Sequence, residues 1–70
     1  MIRELDVVAL KRDIKEEKLK EGDTGTVVHR HRDGKAFIVE FIDPSGTTTA
    51  VITLTDQDIR LVEHPTREVG

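Results

Sequence analysis

The chain has seventy residues, eleven basic and fourteen acidic side chains, no cysteine and two aromatic residues, which makes it a small acidic domain. A net charge of −3 weighs against general binding to phosphate backbones, which draws on an excess of Lys and Arg. The absence of cysteine rules out a disulfide, a thiolate metal site and thiol catalysis.

A domain of this length buries only about 60% of the surface its unfolded chain exposes, so its core must be compact. Phe37 and Phe41 are the only aromatics and both are expected in that core, which leaves none for a base-stacking platform, a methyl-lysine cage or a proline-peptide groove. No apolar run approaches the roughly 18 residues of a membrane helix, and no signal-peptide core is recognised, so no membrane association and a cytoplasmic location are expected.

Leu5-Asp6-Val7-Val8-Ala9-Leu10 is a short run of strand formers and reads as the first strand, with Val8 and Leu10 on one face and Val7 and Ala9 on the other. Lys11 to Glu21 is dense in charge and reads as a long irregular loop with a helical turn, anchored by Ile14 and Leu19. The central turn is Gly22-Asp23-Thr24-Gly25, where two glycines give backbone freedom and Asp23 and Thr24 offer local hydrogen bonds.

The second strand is expected over 25–32, and Asp33-Gly34 is the strongest hairpin signal in the chain. Ala36 to Ile42 is the third strand, with Phe37, Val39 and Phe41 inward and Ile38, Glu40 and Ile42 partly outside. After the Asp43-Pro44-Ser45-Gly46 turn, Thr47 to Leu54 is the fourth strand. Ala50, Ile52 and Leu54 face inward there; Thr47, Thr49, Val51 and Thr53 face outward.

Thr55 to Asp58 is a capped single 3₁₀ turn, and 59–62 is the last strand. Residues 64–70 are expected to form a flexible tail, leaving 1–63 as one domain. Five short strands, one long charged loop and a 3₁₀ turn before the last strand describe an all-β, SH3-like barrel, with an OB-fold as the structural alternative.

Two longer segments, Ile2 to Val8 and Leu19 to Val28, together with Asp33-Gly34-Lys35-Ala36 and Leu54-Thr55-x-x-Asp58-Ile59-Arg60, carry a resemblance. In this order they resemble an uncharacterised "domain of unknown function" family of small stand-alone bacterial proteins, over about residues 2–62. The resemblance implies an SH3-like barrel and brings no catalytic residue. More distantly, Gly22-Asp23-x-Gly25-x-Val27 is similar to the KOW motif of ribosomal and transcription factors and to the barrel of nitrile hydratase β subunits. That likeness carries fold and not activity.

Two surfaces are candidate sites. Ile38, Ile42, Thr49 and Val51 form a modest apolar patch on the outer face of the third and fourth strands, a candidate protein interface together with the first loop. Arg30, Arg32 and Lys35 at the hairpin tip form a candidate nucleic-acid patch, since Arg grips phosphate bidentately; the plainer reading is a charged strand end that blunts an edge, with Arg30 paired to Glu40 or a similar acid across the hairpin.

His29-x-His31, with His64 as a third imidazole, is too sparse a ligand set to define a metal site, and the histidines suggest a pH response below neutrality. Ser45 lacks a neighbouring base and a nucleophile elbow, Asp56 and Asp58 read as caps, and Gly22-x-x-Gly25 lacks the Lys-Ser/Thr of a P-loop. The expected function is therefore non-enzymatic and without a cofactor: binding of a protein partner or of itself, with nucleic-acid binding as the rival.

Overall fold

The computed structural model describes residues 2–64. Five strands form one antiparallel sheet: β1 (Val7–Leu10), β2 (Thr24–Arg30), β3 (Ala36–Ile42), β4 (Thr48–Thr55) and β5 (Ile59–Glu63). Their spatial order is β4-β3-β2-β1-β5, so β2, β3 and β4 form a meander while β5 returns to the far side of β1. This is the expected all-β, SH3-like architecture. The sheet bends without closing, and β4 and β5 are its two ends.

Alternation along the strands builds the core. Phe37, Val39 and Phe41 of β3 are buried and sit opposite Leu54, Ile52 and Ala50 of β4. Val8, Leu10, Val27 and Ile59 complete the same cluster from β1, β2 and β5. Truncating one such side chain to Ala costs about 2–5 kcal/mol, most of what holds a domain of this size. Val8 and Leu10 share the face of β1 that enters the core cluster, and Ala9, on the other face, is buried too. β1 lies between β2 and β5 in a bent sheet, so a small side chain on its second face is covered as well.

The first loop is ordered by its two anchors. Ile14 and Leu19 are buried in the core and pair with each other as an isolated bridge, through Ile14 N–H to the Leu19 carbonyl at 2.9 Å and the reverse bond at 3.0 Å. Between them Lys15–Glu17 forms one turn of 3₁₀ helix, ended by Lys18 in the left-handed region at φ 59°. Asp13 accepts the Glu21 N–H at 2.9 Å and so ties the two ends of the loop.

The two glycines of the central turn do different work. Gly22 adopts φ +93°, closed to most side chains, and donates to the Leu10 carbonyl at 2.9 Å. Gly25 is needed for closeness instead. A Cβ there would stand 2.8 Å from the Glu40 carbonyl oxygen and from Val39 Cγ1, and 2.9 Å from Phe41 Cδ1. The missing side chain lets β2 pack flush on β3.

Candidate functional site

β3 and β4 carry the outward face. Val51 is paired with Glu40, Thr53 with Ile38, and two-residue alternation places Ile38 and Ile42 on the side of Glu40. Val51 is 55% exposed and Ile42 49%; Thr49 is exposed, and Ile38 is half-buried opposite His29 of β2. The four residues expected to form an apolar patch thus lie on adjacent strands, three of them open to solvent. Glu40 sits in their midst, accepting from Thr48 Oγ1 at 2.8 Å.

Thr49 is the extra residue of a bulge between the Phe41–Ala50 and Ile42–Thr48 pairs, and its hydroxyl donates to the Phe41 carbonyl at 3.2 Å. The bulge lies at the start of β4, beside the first loop. There Ile42, Thr49, Leu19 and Pro44 line a cleft of about 530 Å³ with Glu17, Lys18, Asp23 and Asp43. A second bulge puts Val28, 43% exposed, between the Val27 and His29 pairings of β2. Sequence reading had Val28 in a regular strand; a register slip of this kind leaves no signature in the residue types.

The basic cluster assembles differently from its sequence reading. Arg30 stands opposite Phe37, while Glu40 is paired with Thr26 further along β2. Arg30 and Arg32 line an open depression with Arg3, Glu4 and His31, and Lys35 is not part of it. Glu4 also meets His29 Nδ1 at 3.6 Å, and the His29 and His31 rings touch edge to face with centroids 5.6 Å apart. A carboxylate inside the arginine cluster lowers its attraction for phosphate.

Three aspartates are structural anchors. Asp43 Oδ1 accepts from Ser45 N–H at 2.9 Å, Ser45 Oγ at 2.6 Å and Thr47 N–H at 3.0 Å, and these bonds, the Ser45 hydroxyl first, hold its carboxyl below the usual range. Ser45 is thereby accounted for as a turn residue. Asp58 Oδ2 accepts the Thr55 N–H at 2.9 Å while Thr55 Oγ1 accepts the Gln57 N–H at 3.2 Å, a reciprocal cap on the single turn that Asp58 N–H closes onto the Thr55 carbonyl. Arg12 Nε reaches Asp58 Oδ1 at 2.9 Å and ties the first loop to this turn.

Asp6 is the site that sequence reading missed. It is the one buried charged side chain among the described residues, 2% exposed, with Oδ2 accepting the Arg3 N–H at 2.8 Å and Oδ1 facing His64 Nδ1 at 2.9 Å. Burial pushes its carboxyl up, but the His64 bond, the Arg3 amide and the charges of both residues bring it below its ordinary value. The signal lay in the sequence, as one aspartate inside an apolar strand run. His64, the first residue of the expected tail, is held here by Asp6; residues 65–70 of that tail lie outside the described residues.

Among the described residues no group of three or more His, Asp or Glu side chains is arranged to hold a metal, and no helix is long and apolar enough to cross a membrane. No curated protein and no solved structure matches the chain. The family model described as Domain of unknown function (DUF4926) matches residues 4–61, nearly the whole sheet, and the chain belongs to that family.

Proposed function

We propose that this domain is a non-enzymatic, cytoplasmic protein-binding module whose interface is the outward face of β3 and β4. The observation that supports this reading is the exposure of Ile42 and Val51 beside Thr49 and Ile38. What sets Ile42 and Val51 apart from other exposed aliphatics is that they lie on neighbouring strands, next to one another, as an apolar patch that a partner can cover. Asp6, Asp43, Asp58 and Ser45 are engaged within the fold, holding turns and His64. Nucleic-acid binding through Arg30 and Arg32 is the rival reading, and Glu4 within their depression counts against it.

The test is retention on the tagged full chain from native cytosol at low and high salt, with an Ile42→Lys/Val51→Lys variant in parallel. A protein that survives high salt and is lost with the variant supports the reading. Nucleic acid held only at low salt, and lost in an Arg30→Ala/Arg32→Ala variant, replaces it with the rival, because phosphate contacts release counterions and apolar ones do not.

A further inference from the structure

The two ends of the sheet are not alike. β5 carries Arg60 and Glu63 and is followed by His64, charges of the kind that stop an edge strand from pairing with a stranger. β4 is the longest strand, eight residues, and its sequence Thr-Thr-Ala-Val-Ile-Thr-Leu-Thr holds no charge, no proline and no glycine. In a protein where 36% of residues are charged, that stretch is conspicuous. Among the described residues β3 is its only hydrogen-bonded neighbour, so the backbone groups along its other side face outward.

From this edge we infer that β4 pairs antiparallel with β4 of a second copy, joining two five-stranded sheets into one of ten strands. The inference deepens the protein-binding reading and rests on it, naming the partner as this chain itself. A two-fold axis satisfies both exposed edges at once with the same residues, and the second copy offers an uncharged edge of the same length.

The register follows from the bulge. Thr49 disrupts the start of β4, leaving Ala50–Thr55 as its regular run, and centring the axis on Ile52 pairs Ala50–Leu54 of that run with the same five residues of the second copy. Ile52, half-buried against the core at the open edge, then meets its counterpart and is covered. On the outward face Val51 lies opposite Thr53 of the second copy. The nearest carboxylate on that face, Glu40, sits one strand inward and is occupied by Thr48, so no like charges oppose one another across the seam. A seam this narrow covers less than the roughly 800 Å² per partner of a standard interface, so the dimer depends on concentration.

Light scattering and sedimentation of the purified full chain test the assembly. A mass that rises with concentration toward twice the 7.9 kDa of one chain is expected, and Val51→Lys should restore the monomer. That variant keeps the fold, because the new ammonium faces Glu40 on β3. The chain has no cysteine, so engineered thiols report the register cleanly. An equal mixture of Val51→Cys and Thr53→Cys chains should form a mixed disulfide, since directly opposed residues lie within bridging range.

Each variant alone should not, because its own counterpart is diagonal to it. Cross-linking by Val51→Cys alone overturns the register. A monomer at every concentration overturns the pairing, and if such a monomer still retains a protein through Ile42 and Val51, the reading of the preceding section stands without it. A dimer indifferent to Val51→Lys also overturns it.

Discussion

His64 Nδ1 lies 2.9 Å from a carboxylate oxygen of Asp6, fastening the chain after β5 to the turn before β1. The other Asp6 oxygen holds the Arg3 N–H, so one buried side chain fixes both the turn before β1 and the chain after β5. Asp6→Ala leaves the Arg3 amide and His64 without their acceptor and is expected to cost about 1–3 kcal/mol, the usual penalty for an orphaned buried partner. His64→Ala should cost less, since its ring is largely in water.

The folded Asp6 carboxyl sits below its ordinary 3.8, so the unfolded chain binds more protons as acid is added. Its contribution is complete above that value and falls away as pH drops through the lower, folded value. Urea midpoints of wild type and Asp6→Asn between neutral pH and acid check this. The two curves should converge in acid, and a constant gap would show that the carboxylate charge is not what matters.

Gly25→Ala and Gly22→Ala should separate two reasons for a glycine. At Gly25 the new methyl would meet a backbone carbonyl and two core side chains under 3 Å away, none of which can yield without shifting β3. A loss of about 1–3 kcal/mol or outright failure to fold is expected. At Gly22 nothing lies within 4 Å, and the cost is backbone strain alone, about 1–2 kcal/mol. Thermal and chemical unfolding of the pair measure it. Equal losses would mean that close packing of β2 on β3 contributes nothing special.

The glycine contrast shows how far the residues spoke for themselves. Strand positions, the Asp33-Gly34 hairpin, the anchoring of Ile14 and Leu19 and the outward Val51 were legible, because period-two alternation and turn chemistry are local. The Val28 and Thr49 bulges were not. A bulge is chosen by how a bent sheet closes over its core, so the opposition of Arg30 to Phe37 had no local signal. Nor did the partnership of Asp6 with His64, which joins positions at opposite ends of the chain. Of the expected basic patch, Arg30 and Arg32 line one depression without Lys35, while Arg3 and Glu4 enter it from the N-terminal turn that only the fold brings near.

Leu5 and Lys18 adopt φ 74° and 59°, in the left-handed region that costs a residue with a Cβ about 1–2 kcal/mol. Leu5 is 56% exposed, so its side chain gives little back, and its place is fixed by its N–H bond to the Val27 carbonyl at 2.7 Å. Leu5→Gly and Lys18→Gly are each expected to stabilise by up to about 1 kcal/mol, the strain relieved less the greater freedom of glycine in the unfolded chain. A higher urea midpoint for either supports the account; a lower one for both would mean that the turns are held without strain.

Asp58 should matter more than its ion pair. Its carboxyl is held low first by the Thr55 amide, with burial opposing and with Arg12 and the Thr55 hydroxyl adding to the pull. Asp58→Ala therefore uncaps the turn between β4 and β5 and is expected to cost about 1–2 kcal/mol, as caps do. Arg12→Ala removes only a partner whose side chain is 58% exposed, and exposed pairs are worth about 0–1 kcal/mol. A double-mutant cycle between the two should return a coupling smaller than the Asp58 loss itself. Because the folded carboxyl lies below 3.8, the Asp58→Ala deficit should hold at neutral pH and shrink as pH falls beneath that value. A coupling as large as the whole Asp58 loss would place the stabilisation in the salt bridge and make the first loop, rather than the cap, what holds β4 to β5.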